Sequence, residues 1–152
     1  KTESLPFLNE SDITAMTGTE ADTVTIRYLD RYNVTYQYDP ATETYSRFNG
    51  DDQTIDYETG TEIALDNVFI VEAMHRVIDS AGRREIDLTT GGDALLLQKG
   101  IVQWVQWKND DGRIVPSSGE GTTGFVPGQT WINIIPNDPG IEEDVVYETN
   151  SN

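Results

Sequence analysis

The chain has no cysteine, a single histidine and only ten basic residues among 152, three of them Lys. The missing thiol excludes disulfides, thiolate nucleophiles and Cys-ligated zinc. It fixes no compartment, because exported and cytosolic domains alike can lack cysteine. One imidazole cannot build a His-rich metal site. Against the ten basic residues stand 27 acidic ones, a formal charge of −17 at pH 7. Such a surface repels the phosphates of nucleic acid and of an anionic bilayer, so neither is expected as a partner. The ordinary meaning of this charge is an acidic, soluble surface that disfavours self-association; the sharper one is adaptation to salt or alkali. No apolar run approaches the ~20 residues that cross a membrane as a helix. Residue 1 is Lys and no signal-peptide pattern is present, so a processed or engineered fragment is expected.

What the chain does have is alternation. Asp93–Lys108 reads as two apolar runs joined at Lys99-Gly100, the pattern of a β-hairpin with a tight Gly-containing turn. Val24–Tyr28, Val34–Tyr38 and Thr44–Phe48 read as strands, the last two a hairpin around Asp39-Pro40. Asn67–Asp79 is the longest candidate strand. Phe69, Val71, Ala73, His75 and Val77 share one face, and Val68 and Ile70 lie on the other. Apolar residues on both faces place its first half centrally in a sheet. Arg84–Leu88, Arg113–Val115 and Trp131–Ile135 complete the set, with Asp111-Gly112 a second hairpin turn. Gly60 is expected in the left-handed region. Nowhere does the i, i+3, i+4, i+7 stripe of a helix persist. The expectation is an all-β domain, an antiparallel sandwich or barrel of about eight to ten short strands. Residues 22–136 form it, 1–21 are a linker or N-terminal extension, and 137–152, with five acidic residues and no basic one, are a solvated or frayed tail.

The order of motifs resembles the C-terminal domain of the YerB-like lipoproteins of Gram-positive bacteria. The resemblance rests on Tyr38-Asp39, Tyr45-Ser46-Arg47, Asn49-Gly50, Asp56, Gly60, Asp66-Asn67-Val68 and Gly82-Arg83. It continues through Gly91-Gly92, Lys99-Gly100, Trp107-Lys108 and Gly128-Gln129-Thr130-Trp131-Ile132. These span roughly residues 24–136; Tyr36 stands where the family often has Trp. The resemblance implies an exported protein held at the outer membrane face by an N-terminal lipid, and a preceding domain. The lipid-bearing Cys would lie upstream of Lys1. The family brings no established reaction, and so no catalytic residues.

Read for chemistry, the residues offer four candidates. His75 is expected to point inward as a neutral, hydrogen-bonded imidazole, with a pocket acid, base or ligand as the alternative. No Gly-x-Ser-x-Gly elbow supports a triad. Asp51, Asp52, Asp56 and Glu58 crowd one loop; Asp-rich turns are ordinarily only turns, and Ca²⁺ is the alternative without an EF-hand spacing. Paired carboxylates able to cut glycosides are unavoidable among 27 acids and carry no weight. The aromatic residues Tyr36, Tyr38, Tyr45, Phe48, Trp104, Trp107 and Trp131 form either a core or a sugar-stacking surface, with Arg47 and Asn49 as polar contacts. Trp104 and Trp107 differ in parity and should face opposite ways. The candidate ligand residues are thus Tyr36, Tyr38, Arg47, Asn49, His75, Trp104 and Trp107. No catalytic residue, metal ligand or cofactor is assigned. The leading reading is an extracytoplasmic binding or scaffold module contacting a cell-wall polymer or an envelope protein. The alternatives are a cell-wall hydrolase using carboxylates or His75, and a structural module for a preceding domain.

Overall fold

Alternation of apolar and polar residues puts successive side chains on opposite faces, and two such sheets bury their apolar faces against each other. The computed structural model describes residues 19–27, 33–56, 58–77, 84–89, 91–119, 124–136 and 140–148. Among these the strands in chain order are β1 (Thr19–Glu20), β2 (Thr23–Ile26), β3 (Val34–Asp39), β4 (Thr44–Asn49), β5 (Asp52–Gln53), β6 (Asn67–Val77), β7 (Arg84–Asp87), β8 (Gly92–Gln98), β9 (Ile101–Asp110), β10 (Arg113–Gly119), β11 (Thr130–Pro136) and β12 (Val145–Glu148). The helix α1 is a single turn, Ile141–Asp144. The all-β expectation holds, and the strands form two sheets.

The larger sheet runs β1-β9-β8-β6-β11, with β10 also on β9 and β7 on the far half of β6. The smaller runs β12-β2-β3-β4-β5. Val24, Ile26, Val34, Tyr36 and Tyr45 of the smaller sheet close on Val68, Ile70, Leu95, Leu97, Val102 and Ile135 of the larger. Phe69, Val71, Ala73, Ala94, Leu96, Val105 and Trp107 face the other way and gather around Phe125. Both faces of the first half of β6 and of Ala94–Gln98 in β8 are therefore covered, which is why Val68–Val71 and Ala94–Leu97 read as continuous apolar runs. The β8–β9 turn has Lys99 at φ 51° and Gly100 at φ 78°, the paired positive φ of a type I′ hairpin. A Cβ at Gly100 would lie 2.9 Å from the Tyr38 ring, so the site needs glycine for space as well as conformation. Gly60 sits at φ 73°, as expected.

Three features depart from the expected layout. β11 runs parallel to β6, Thr130 opposite Asn67 through Pro136 opposite Ala73, inside an otherwise antiparallel arrangement. The acidic tail is not wholly solvated: β12 pairs with β2, Val145 opposite Ile26, and Ile141 and Val145 are buried. Ile141, Val145 and Tyr147, set among its acids, pack on the core, and that apolar minority decides the outcome. Finally, the segment assigned to a linker contributes β1 and the buried Ala21, whose N–H donates to Gly100 O at 2.9 Å.

The start of the parallel pair is held by a polar clamp. Asn67 is fully buried and uses every position of its amide. Its Nδ2 donates to Val126 O (2.8 Å) and Thr130 Oγ1 (3.0 Å). Its Oδ1 accepts from Gln98 Nε2 (2.8 Å) and Val126 N (2.9 Å). Gln98, its cross-strand partner on β8, donates again to Gly124 O at 2.6 Å. Beside it, Asp66 Oδ2 accepts the N–H of Gln129 at 2.9 Å, and a Cβ on Gly128 would fall 2.0 Å from that same oxygen.

Candidate functional site

The segment after β5 leaves the sheet as an irregular two-legged arm. Asp56 N–H donates to Thr61 O and Ile63 N–H to Thr54 O, and Ile55 bridges to Glu62. The Asp56 carboxylate closes the tip by accepting from the N–H groups of Glu58 and Thr59, the ordinary use of Asp in a turn. Among the described residues no group of three or more Asp, Glu or His side chains converges as a metal site. The arm returns to the body where Leu65 bridges to Tyr45 of β4.

Between this arm and the start of β11 lies an open cleft of about 490 Å³. Thr54, Ile55, Asp56 and Thr61–Leu65 line one side; Gln129, Thr130 and Trp131 line the other. Arg47, on β4, ties the two sides together. Its Nη1 donates to Thr54 Oγ1 at 2.9 Å, and its guanidinium carbon lies 4.7 Å from the centroid of the Trp131 ring. Its Nε donates to the Tyr36 hydroxyl at 3.3 Å, and that hydroxyl donates to Asn133 Oδ1 at 2.7 Å. The chain Thr54–Arg47–Tyr36–Asn133 thus runs from the cleft wall into the core, and Arg47, Tyr36 and Asn133 project from the strands β4, β3 and β11. A planar guanidinium can stack and donate at once, so Arg serves this junction better than Lys.

Of the residues singled out from the sequence, Tyr36 and Arg47 are brought together here. Tyr36 is fully buried, so it supports the cleft from beneath and offers no face to a ligand. Tyr38 packs at the sandwich edge with its ring 5.0 Å from that of Tyr45, and burial with nearby acids pushes its hydroxyl pKa up. Asn49 is exposed at the end of β4, opposite Val34 and Asp52. Trp104 and Trp107 do face opposite sides of β9, but both sides of the sheet are occupied. Trp104 packs, half-buried, against the inter-sheet core. Trp107 is 2% exposed and its Nε1 donates to Glu72 O at 2.6 Å. Neither Tyr36 nor Trp107 can therefore be an exposed sugar platform. His75 pairs through its backbone with Ile86 of β7; its side chain lies outside the described residues.

Sequence reasoning passed over Thr54, Glu62, Gln129 and Trp131 as a group. Trp131 was visible as an aromatic on a terminal strand, but nothing local joins residue 131 to residue 54. Glu72 is the described carboxylate on β6 with a perturbed pKa. Burial raises it, and the hydrogen bond its Oε2 accepts from Ile141 N–H, at 2.8 Å, pulls it partly back. That carboxylate anchors α1 and is not turned to the cleft lining.

Comparison with known proteins fits this framework. Residues 24–132 match the family described as "Protein of unknown function (DUF3048) C-terminal domain". The chain is 50% identical over 103 residues to "Putative lipoprotein YerB" of Bacillus subtilis (strain 168), an alignment covering 68% of this chain and 31% of that protein. The crystal structure of YerB protein from Bacillus subtilis superposes with a TM-score of 0.70 at 43% identity, covering 80% of this chain and 43% of that one. The chain thus spans less than half the length of each of these relatives. It belongs to the DUF3048 C-terminal-domain family.

Proposed function

We propose that this member of the DUF3048 C-terminal-domain family is a binding module of the bacterial cell envelope. In this reading it is displayed outside the cytoplasm by the lipid of a longer polypeptide and performs no chemistry itself. The observation that carries the reading is the braced cleft. Its volume of about 490 Å³ falls within the ~300–1,000 Å³ of small-ligand sites. It mixes hydroxyl, amide and carboxylate groups with an indole, and a rigid side-chain network supports it from the core. The name of the Bacillus subtilis relative supports the location; in this reading the partner is a wall polymer or an envelope protein. The test is co-sedimentation of the chain with purified peptidoglycan sacculi and with isolated wall polymers, with and without Ca²⁺. Retention on sacculi supports the reading; no retention on any envelope fraction refutes it.

A scaffold reading is favoured by a different observation. A groove of about 500 Å³ lies between the β9–β10 turn and β11, lined by Ile114, Phe125 and the exposed Ile132. Such a surface suits docking against another part of a longer polypeptide. Ile132→Glu should disrupt that docking in the full-length protein and leave sacculus retention intact.

A further inference from the structure

We infer that the cleft between the arm and β11 takes an uncharged pyranose ring, stacked on the indole of Trp131 and hydrogen-bonded along its edge by Thr54, Thr61, Glu62 and Gln129. This rests on the binding-module reading and assigns the ligand class within it.

The lining of the cleft sets the chemistry of its ligand. No Lys, Arg or His is among its lining residues, whereas Asp56 and Glu62 are. The cation that ties its two walls is Arg47. It is committed to Thr54, Tyr36 and the Trp131 ring, and it is not part of the lining. A phosphate-rich or carboxylate-rich polymer would meet two acids and a chain of net charge −17, so an anionic ligand is disfavoured. A wholly apolar ligand would strip water from the Gln129 amide and from the hydrogen-bonding positions that Thr54, Thr61 and Glu62 do not already spend on Arg47, Thr59 and Gln53, at the cost of their hydration. A sugar ring satisfies both demands. Its C–H face covers an aromatic surface, and its hydroxyls donate to carboxylate and amide oxygens.

The two sides of the cleft are also fitted to different parts of the task. The Gln129 backbone is fixed at both ends: its N–H donates to Asp66 Oδ2 and its carbonyl accepts from the N–H groups of Asp66 and Asn67. Its side chain, exposed at the rim, remains available. On the arm, Glu62 Oε2 accepts from Gln53 Nε2 at 3.2 Å, which orients the carboxylate. Arg47 holds Thr54 and Trp131 at a set separation without entering the cleft. It is a positioning residue for the ring-stacking wall.

The experiment is isothermal titration of the whole chain with three oligosaccharides of matched length: neutral N-acetylglucosamine oligomers, their cationic de-acetylated counterparts, and anionic galacturonate oligomers. The expected result is binding of the neutral oligomer and none of the anionic one. Gln129→Ala and Trp131→Phe should weaken neutral binding, and Trp131→Ala should weaken it roughly tenfold or more. Trp131→Phe keeps an aromatic in the core-facing position should the alanine variant fail to fold. Glu62→Gln, which keeps an acceptor oxygen but exchanges a charged acceptor for a neutral one, should weaken neutral binding by about fivefold. Binding of the cationic oligomer alone, or its abolition by Glu62→Gln, overturns the assignment in favour of a cation site. Retention on sacculi with no oligosaccharide bound overturns the ligand class and leaves the binding-module reading standing. Loss of both overturns both.

Discussion

Asn67 is the residue whose replacement most directly tests how the parallel strand is held. Its amide makes four hydrogen bonds, two of them to the backbone N–H and C=O of Val126, and all but the one to Thr130 lie in the interior. In Asn67→Ala, Gln98 Nε2 keeps Gly124 O, and the half-buried Thr130 hydroxyl is free to rotate. The two Val126 groups lose their partners outright. At about 1–3 kcal/mol for each buried group left unsatisfied, the cost is about 2–6 kcal/mol, centred near 4. Against a total of about 5–15 kcal/mol that is a large share of the fold's stability. Asn67→Asp is the sharper probe. It sets a carboxylate oxygen where Nδ2 now donates to Val126 O, so it should cost at least as much at neutral pH and recover in part in acid, when a protonated carboxyl can donate again. Urea unfolding with native-state hydrogen exchange at the Val126 amide measures both effects. A loss below about 1 kcal/mol, with Val126 protection unchanged, would refute the clamp.

Three further outcomes are expected. Phe69→Ala, which empties a fully buried site against Phe125, should cost about 3–5 kcal/mol by urea unfolding; an unchanged midpoint would show the second core is not continuous. Gly128→Ala should cost more than about 1 kcal/mol and clearly more than Gly60→Ala, since both have positive φ but only Gly128 faces Asp66; equal midpoints would show that carboxylate yields freely. Because burial raises the Glu72 pKa, its contribution is fully present below its ordinary value of 4.5 and is lost as pH rises through the raised one. Stability should therefore rise on acidification from neutral, by relief of general repulsion as well, and Glu72→Gln should flatten its own part of that rise. Superimposable wild-type and Glu72→Gln profiles in thermal melts across that range would contradict it.

The strands were legible because a two-residue period is a local property. β3, β4, β6, β8 and β9 announce themselves within a dozen residues, and Lys99-Gly100 and Asp111-Gly112 mark their turns. What escaped depends on distant pairing. Nothing near Thr130 says that its strand will run parallel to one starting at Asn67. Nothing in an acid-rich segment says that Val145 will lie opposite Ile26. Parity placed Trp104 and Trp107 on opposite faces, but burial of both faces follows only from knowing what packs on each. The candidate site was half-visible for the same reason. Arg47 was singled out for its neighbourhood in sequence, whereas Trp131 and Thr54, which give it a role, are joined to it only by the fold. Asn67 and Gln98 look like residues that bound strands, and their burial becomes apparent only when the 124–130 segment folds over them.

The pairing of β12 with β2 has a consequence for how the molecule is made. The strand that opens the smaller sheet finds its outer neighbour only when residues 145–148 arrive, and β6 waits for β11 in the same way. These two sheet edges therefore stay unfilled until residues 130–136 and 145–148 are in place. Such a topology belongs to the slow, non-local end of the folding spectrum. During that interval the incomplete chain is open to edge-to-edge association, and its unusually high negative charge then acts as the deterrent that keeps neighbouring copies apart.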